Sequence, residues 1–135
     1  MANLNIVNGS NKIVFGEDSK VIEKYFSGIK GGRVLDTAGF TDGVIKAGHV
    51  VITDGKGNYK PMPVQDGAYA SLPETFQYAG VVYRSVSASK PSISIMTNGE
   101  VNIECVPYKM DSILAAFKAA CPLIVFVKDE ENSNE

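Results

Sequence analysis

The sequence predicts a mainly β fold of the α+β class. Between residues 44 and 104, short runs of β-branched and aromatic residues recur, turns rich in glycine separate them, and several runs alternate apolar with polar residues. Helical spacing of apolar residues occurs only near the two ends of the chain. We therefore expect an N-terminal β-arm, a short N-terminal helix, a β-rich body and one C-terminal helix.

Composition bounds the class of protein. The chain has 135 residues, 44% of them hydrophobic, which is enough for one compact core. A net charge of −2 offers no broad basic field, so we expect no nucleic-acid partner. The longest apolar run, residues 123–127, is far shorter than the roughly 20 residues of a membrane helix, so we expect no membrane partner. The polar start is not a signal peptide, which predicts synthesis in a cytoplasm.

Changes in composition along the chain predict that it is divided into three parts. Residues 1–32 hold the β-arm and the short helix, residues 33–127 form the β-rich domain, and residues 128–135 form a tail. The tail has four acids and one lysine, so its charges stay solvated and we expect it to be disordered.

The N-terminal part begins with a predicted hairpin. Residues 4–7 and 12–15 flank Asn8-Gly-Ser-Asn11, whose residues accept positive φ readily. After it, apolar residues recur at helical spacing between Asp18 and Phe26, and Gly28 follows. We expect a helix of about two turns there, with Asp18 or Ser19 as its N-cap.

In the middle, glycine turns and prolines place the strands. Two strands are predicted between residues 45 and 60, around Asp54-Gly-Lys-Gly57. Residues 62–77 show no period, so we expect a long loop. A further strand is predicted over residues 79–86.

The strongest hairpin signal is Asn98-Gly99, which predicts pairing of residues 92–97 with residues 100–106. The alternation in these two runs predicts that five side chains belong to the core. They are Ile93, Ile95, Val101, Ile103 and Cys105.

A helix and a strand close the domain. Residues 111–120 contain strong helix formers, Asp111 can cap them, and Pro122 prevents the helix from continuing. Residues 123–127 are apolar on both faces, so this strand is either central in a sheet or covered by a neighbouring chain.

Residues capable of chemistry are scattered. His49 has no nucleophile or carboxylate close in sequence, and we interpret it as a strand residue. Asp36 with Asp42, or Glu100 with Glu104, leave paired-carboxylate chemistry open, although the predicted hairpin already explains the second pair by placing Glu104 in water. We expect no enzyme activity, no catalytic residue and no cofactor.

Binding of a prosthetic group or a metal is also not expected. The glycine turn near His49 is similar to that of biotinyl and lipoyl carrier domains, but Lys109 lies beside a predicted helix instead of at a hairpin tip. Cys105 and Cys121 lie in apolar surroundings and predict buried thiols, and one histidine with two distant cysteines does not predict a zinc site.

Four motifs in a fixed order carry a resemblance. They are Gly43-Val-Ile-Lys-Ala-Gly-His-Val-Val-Ile52, Tyr59-Lys-Pro61, Ala79-Gly-Val-Val-Tyr83 and Asn98-Gly-Glu-Val-Asn102. In this order, over residues 33–127, the chain resembles the head decoration proteins of tailed phages, including the lambdoid type and the base domain of some head-fibre proteins. The resemblance implies a small β-barrel-like or β-tulip domain with a helix.

The resemblance also implies function and partners. Such a protein binds the outer surface of an expanded head as a homotrimer, contacts the major capsid protein and stabilises neighbouring subunits. The arm would supply the capsid-interface candidates, and three aromatic residues are the oligomer-interface candidates. These are Leu4, Ile6, Val7, Ile13, Val14 and Phe15 for the capsid, and Tyr69, Phe76 and Tyr78 for the oligomer.

An alternative remains open at this point. The chain could be a receptor-binding, glycan-binding or anchoring module of a virion head fibre, with a head-fibre protein as a further partner. Both readings are structural and place the chain on the outer surface of the virion.

Overall fold

A computed structural model describes residues 18–29 and 31–128 of the chain. The predicted β-arm and almost all of the predicted acidic tail lie outside these residues. In chain order the elements are α1 (Asp18–Val21), β1 (Ile22–Gly28), β2 (Arg33–Val34), β3 (Val44–Ile45), β4 (Val50–Thr53), β5 (Tyr59–Pro61), β6 (Val64–Gln65), β7 (Ala68–Tyr69), β8 (Gln77–Val82), β9 (Val86–Ser87), β10 (Ser92–Ile93), β11 (Ile95–Asn102), α2 (Leu114–Ala120) and β12 (Ile124–Val127). The fold is mainly β with one short C-terminal helix, as predicted.

One six-stranded sheet organises the molecule. Its order is β1-β11-β8-β4-β5, all antiparallel, and β12 adds to β11 in parallel. β8 and β12 share one edge of the long strand β11, and β1 occupies the other. Three two-stranded ladders, β2–β10, β3–β9 and β6–β7, surround this sheet. Within the part of the chain that the structure describes, β1 and β5 do not pair with each other, so the sheet is open.

The middle of the sheet has a hydrophobic core on each face. In β4, Val50 and Ile52 belong to one cluster and Val51 to the other, and all three are fully buried. The first cluster includes Phe117 of α2. In the second, Ile45 and Ile93 of the small ladders, with Leu35 next to β2, pack against side chains of the main sheet. This two-sided burial explains why β4 is a continuous apolar run instead of an alternating one.

The predicted N-terminal helix is much shorter than expected. α1 ends at Val21, and the chain continues from Ile22 as β1, paired with β11. Tyr25 and Phe26 fit the spacing of a helix, but both are also good strand formers. Long-range pairing with β11 therefore decides their conformation, which local spacing does not report.

The predicted hairpin across Asn98-Gly99 is wrong, because β11 runs through both residues without turning. Neither residue has the positive φ that a type I′ turn requires. Gly99 allows a close approach instead: a Cβ there would collide with the Lys24 carbonyl oxygen and lie 2.6 Å from Met96 Sδ. Met96 and Val101 are five residues apart yet join the same core, so the alternation reverses within this stretch.

A two-residue hairpin exists elsewhere, within the predicted loop over residues 62–77. Gln65 pairs with Ala68 across Asp66-Gly67, whose φ angles are 55° and 79°. These angles fit the type I′ turn that an Asp-Gly pair favours. This part of the chain is therefore a short hairpin, β6–β7, within an otherwise irregular segment.

The C-terminal helix begins later than predicted. Ile113 is its N-cap and no side chain makes a capping hydrogen bond, so the assignment of Asp111 as cap is wrong. The helix ends at Ala120, as predicted from Pro122. The closing strand is confirmed as β12.

The predicted core residues are confirmed in part. Ile93, Ile95 and Val101 are buried. Ile103 and Cys105 are half-buried, because β11 ends at Asn102 and the chain then turns.

Candidate interaction surfaces

Within residues 18–29 and 31–128, the end of the sheet formed by β1 and β12 has a hydrophobic cluster on one face only. On the inner side, Ile22 lies beside Val101 and both belong to the first core cluster. On the other side, Glu100 lies between Lys24 of β1 and Val125 of β12. Among the described residues, no member of β1 or β12 belongs to the second cluster, which covers this face at the middle of the sheet. The second core therefore stops before this end.

Four large apolar side chains are exposed at this end. One of them, Tyr25, is 41% exposed and its ring lies 4.3 Å from that of Tyr83. Phe26, Leu123 and Val125 are 61%, 60% and 52% exposed, and we call them the outer patch. Phe26 is in β1, and the other two lie in or next to β12 on the opposite edge of β11. Single exposed apolar residues are ordinary, but a group of them on one end of a sheet indicates a contact surface.

A groove lies on the other side of the molecule, between the loop at residues 36–42 and the β6–β7 hairpin. Its volume is about 400 Å³, and its walls include three aspartates, Lys60 and two aromatic rings. The aspartates are Asp36, Asp42 and Asp66, and the rings are Phe40 and Tyr108. Polar groups placed against aromatic walls are typical of small-molecule sites.

Tyr108 and Asp42 form the best-defined polar contact of the groove. The Tyr108 hydroxyl donates a hydrogen bond of 2.6 Å to Asp42 Oδ2. Desolvation, and then this hydrogen bond, raise the pKa of Tyr108 to about 12. The hydroxyl therefore stays protonated as a donor at neutral pH.

His49 lies behind the groove instead of in it. It is 1% exposed, and its ring meets the rings of Phe40, Tyr69 and Tyr108 edge-on at centroid distances of 5.3–5.6 Å. Its Nε2 lies 3.0 Å from the Met62 carbonyl oxygen, so the neutral ring donates from Nε2. Burial lowers the pKa of His49 to about 4. The ring is neutral at pH 7 and supports the aromatic wall.

The two carboxylate pairs differ in their surroundings. Asp36 and Asp42 both line the groove, but Asp36 Oδ1 accepts a hydrogen bond of 3.0 Å from the Ala38 amide within its own turn. Glu104 is exposed, as expected, and Glu100 is half-buried on the outer side of the sheet. Over residues 18–29 and 31–128, no group of three or more His, Cys, Asp or Glu side chains is arranged to hold a metal ion.

The predicted interface residues are placed as follows. The six capsid-interface candidates, Leu4, Ile6, Val7, Ile13, Val14 and Phe15, lie outside the described residues. Tyr69 is 5% exposed, and its hydroxyl oxygen accepts a hydrogen bond of 3.1 Å from the Val50 amide. Phe76 and Tyr78 are half-buried, with Lys60 Nζ 4.8 Å from the Phe76 ring centre. The oligomer-interface assignment stays a prediction, and Tyr69 has the least surface left for it.

Local spacing did not indicate the groove. Tyr108 and Asp42 are 66 positions apart and meet only in the fold. The sequence indicates the outer patch in part, because residues 123–127 are apolar on both faces and so predict a strand that needs cover on each side.

Comparison with known proteins leaves the chain without a match: no protein-family model, no curated protein and no solved structure is similar enough to it. Among its described helices, none has the length and apolar character required to cross a bilayer.

Proposed function

We propose that this chain is a non-enzymatic auxiliary capsid protein that decorates the outer surface of a tailed-phage head and stabilises contacts between major capsid subunits. The observation that carries the proposal is the place of the four resemblance motifs in the fold. They fall on β3 with β4, on β5, on β8 and on β11, and the last four of these strands are consecutive neighbours in one sheet. Motifs that are individually weak thus form one structural unit.

The finer architecture belongs to the same proposal. In a β-tulip or barrel-like arrangement, the ladders β2–β10 and β3–β9 would wrap one face of the main sheet. Their residues Ile93 and Ile45 already pack with Val51 on that face, which supports such a wrap.

Capsid binding would use the N-terminal arm. Leu4, Ile6 and Val7, with Ile13, Val14 and Phe15, alternate in a way that suits addition to an exposed strand edge of the major capsid protein. In a homotrimer, three arms bind at once, so modest individual contacts give avid attachment at threefold and quasi-threefold positions. Tyr69, Phe76 and Tyr78 remain the candidates for contacts between the copies.

Sedimentation tests this proposal. We expect trimers, or a monomer–trimer equilibrium, in velocity runs of the isolated chain, and co-sedimentation with purified expanded heads. Ile13→Asp should weaken co-sedimentation, and Lys56→Asp, at an exposed turn far along the chain, serves as the matched surface control. A strict monomer that stays in the supernatant with expanded heads would contradict the proposal.

The groove supports a second candidate, a glycan-binding or receptor-binding module of a head fibre. Phe40 and Tyr108 offer ring surface and Asp42 offers an acceptor, which together suit a sugar ring and its hydroxyls. A glycan array on which the chain and its Tyr108→Ala variant give the same empty result would remove this candidate.

A further inference from the structure

We propose that the outer patch is the docking site of the chain's own N-terminal segment, residues 1–17, when the protein is not bound to a partner. The inference does not depend on the proposed function, because it concerns the isolated chain. It assigns an occupant to the end of the sheet where Phe26, Leu123 and Val125 are exposed.

The exposure of the β1 side chains indicates that this end of the sheet suits a further contact. Five consecutive residues of β1, from Glu23 to Ser27, are exposed, although the strand is paired with β11 along its length. Tyr25 and Phe26 are among them, at 41% and 61%. Within the part of the chain that the structure describes, β1 pairs along one edge only, with β11. A strand that exposes apolar side chains and has an unpaired edge is a template for a further strand or segment.

At the middle of the sheet, this face is covered by the second hydrophobic cluster. Leu35, Ile45 and Ile93 belong to that cluster. At the end formed by β1 and β12, the outward neighbours are Lys24, Glu100 and Val125, and none of them belongs to that cluster. One further apolar segment would complete the second layer.

The position and length of residues 1–17 fit this role. The segment ends at Asp18, where α1 begins, and α1 leads directly into Ile22 at the start of β1. Seventeen residues reach up to ~55 Å when extended, whereas three neighbouring strands span only ~10 Å. The segment therefore reaches the outer patch of its own chain without any rearrangement of the sheet.

The chemistry of the segment matches the patch. Besides Met1, it contains six large apolar residues, which are Leu4, Ile6, Val7, Ile13, Val14 and Phe15. Burying them against Phe26 and Val125 removes apolar surface from water on both sides of the contact. Glu100 lies beside Val125, and Lys24 lies beside Glu100 on the far side of β11, so these two neighbouring charges are of opposite sign.

A paramagnetic label tests the contact in the full chain. Ser10→Cys carries a nitroxide, with Cys105→Ser to remove the other accessible thiol. Cys121 is 8% exposed and burial raises the pKa of its thiol to about 11, so it reacts slowly with the label. The methyl signals of Leu123 and Val125 are then followed by NMR in isotope-labelled chain diluted with unlabelled, nitroxide-free chain.

We expect loss of the Leu123 and Val125 methyl signals. The Leu123 signal should recover in a Val125→Asp background and the Val125 signal in a Leu123→Asp background, whereas both should stay lost with Lys118→Asp on α2. A nitroxide at Lys56→Cys, in the β4–β5 turn beyond the far side of the sheet, is the positional control and should broaden them far less. Unchanged methyl signals with the label at position 10 would overturn the proposal. So would loss that appears only when the nitroxide is on a second, isotope-free chain, because the occupant would then be another copy.

Discussion

Strand β4 in the middle of the sheet and strand β12 at its β1–β12 end are both short apolar runs, but they reach different degrees of burial. β4 has all four residues buried because one core lies on each of its faces. β12 is equally apolar, yet Val125 stays 52% exposed because the second core stops before reaching it. Apolar character alone therefore does not distinguish a strand that is buried on both faces from one that leaves a side chain exposed for contact. The neighbours on each face make the distinction.

The largest difference between the two regions should appear when the same side chain is removed from each. Phe117 is fully buried, with the rings of Tyr78 and Phe126 at 5.5 and 5.8 Å, whereas Phe26 is 61% exposed. Phe117→Ala should lower the free energy of unfolding by about 3–5 kcal/mol. Phe26→Ala should change it by less than about 1 kcal/mol.

Urea denaturation of the two variants measures this contrast. Equal losses of unfolding free energy in the two variants would show that the β1–β12 end is packed as tightly as the middle. That result would contradict the difference in burial described above.

Acid should lower the free energy of unfolding, because His49, buried beside the middle of the sheet, must become protonated. Its pKa is about 4 in the folded chain and 6.5 when exposed, so unfolding takes up a proton between these values. The contribution of the neutral His49 ring to the free energy of unfolding is fully present above pH 6.5 and falls as the pH drops towards 4. It amounts to about 3 kcal/mol. His49→Gln keeps a donor for the Met62 carbonyl oxygen and cannot titrate. Its stability should therefore fall less steeply than that of the parent over this window, and parallel curves would contradict the assignment.

At the junction of the two regions, Gly99 should resist substitution. Its missing side chain makes room for the Lys24 carbonyl oxygen and for Met96 Sδ at 2.6 Å, so Gly99→Ala should cost about 1–3 kcal/mol. Gly43→Ala is the matched control, because nothing lies within 4 Å of a Cβ there. Thermal unfolding compares the two, and equal melting temperatures would mean that β1 and β11 are not held this closely.

The smallest expected effect concerns the groove. Tyr108→Phe removes the hydrogen bond to Asp42 and should cost about 0.5–1.5 kcal/mol. Because the folded pKa is raised to about 12, the parent should lose this contribution as the pH rises from 10 towards 12. Tyr25→Phe, at the exposed end, is the control and should leave stability nearly unchanged. A parent and a Tyr108→Phe variant with identical alkaline unfolding curves would contradict the role of this contact.

The sequence predicted the strands that local pattern determines and misplaced those that distant partners determine. Asn98-Gly99 and Asp66-Gly67 carry the same type of turn signal, yet only the second pair turns. The first lies where β1 binds β11 from more than 70 positions away, and no local pattern encodes that pairing. For the same reason a helical spacing at Tyr25 and Phe26 became a strand.

The candidate surfaces were less predictable than the fold. The groove joins Asp42 to Tyr108 from segments 66 positions apart, so no motif marks it. The two-sided apolar character of residues 123–127 did indicate a strand that needs cover on both faces. It did not indicate that the described part of the chain leaves Val125 of this strand exposed.

Cryo-electron reconstruction of expanded tailed-phage heads, with and without the purified chain, tests the central claim most directly. We expect added density on the outer surface at threefold and quasi-threefold positions, into which three copies of the open sheet fit. Heads that carry no added density at saturating chain concentration would contradict it.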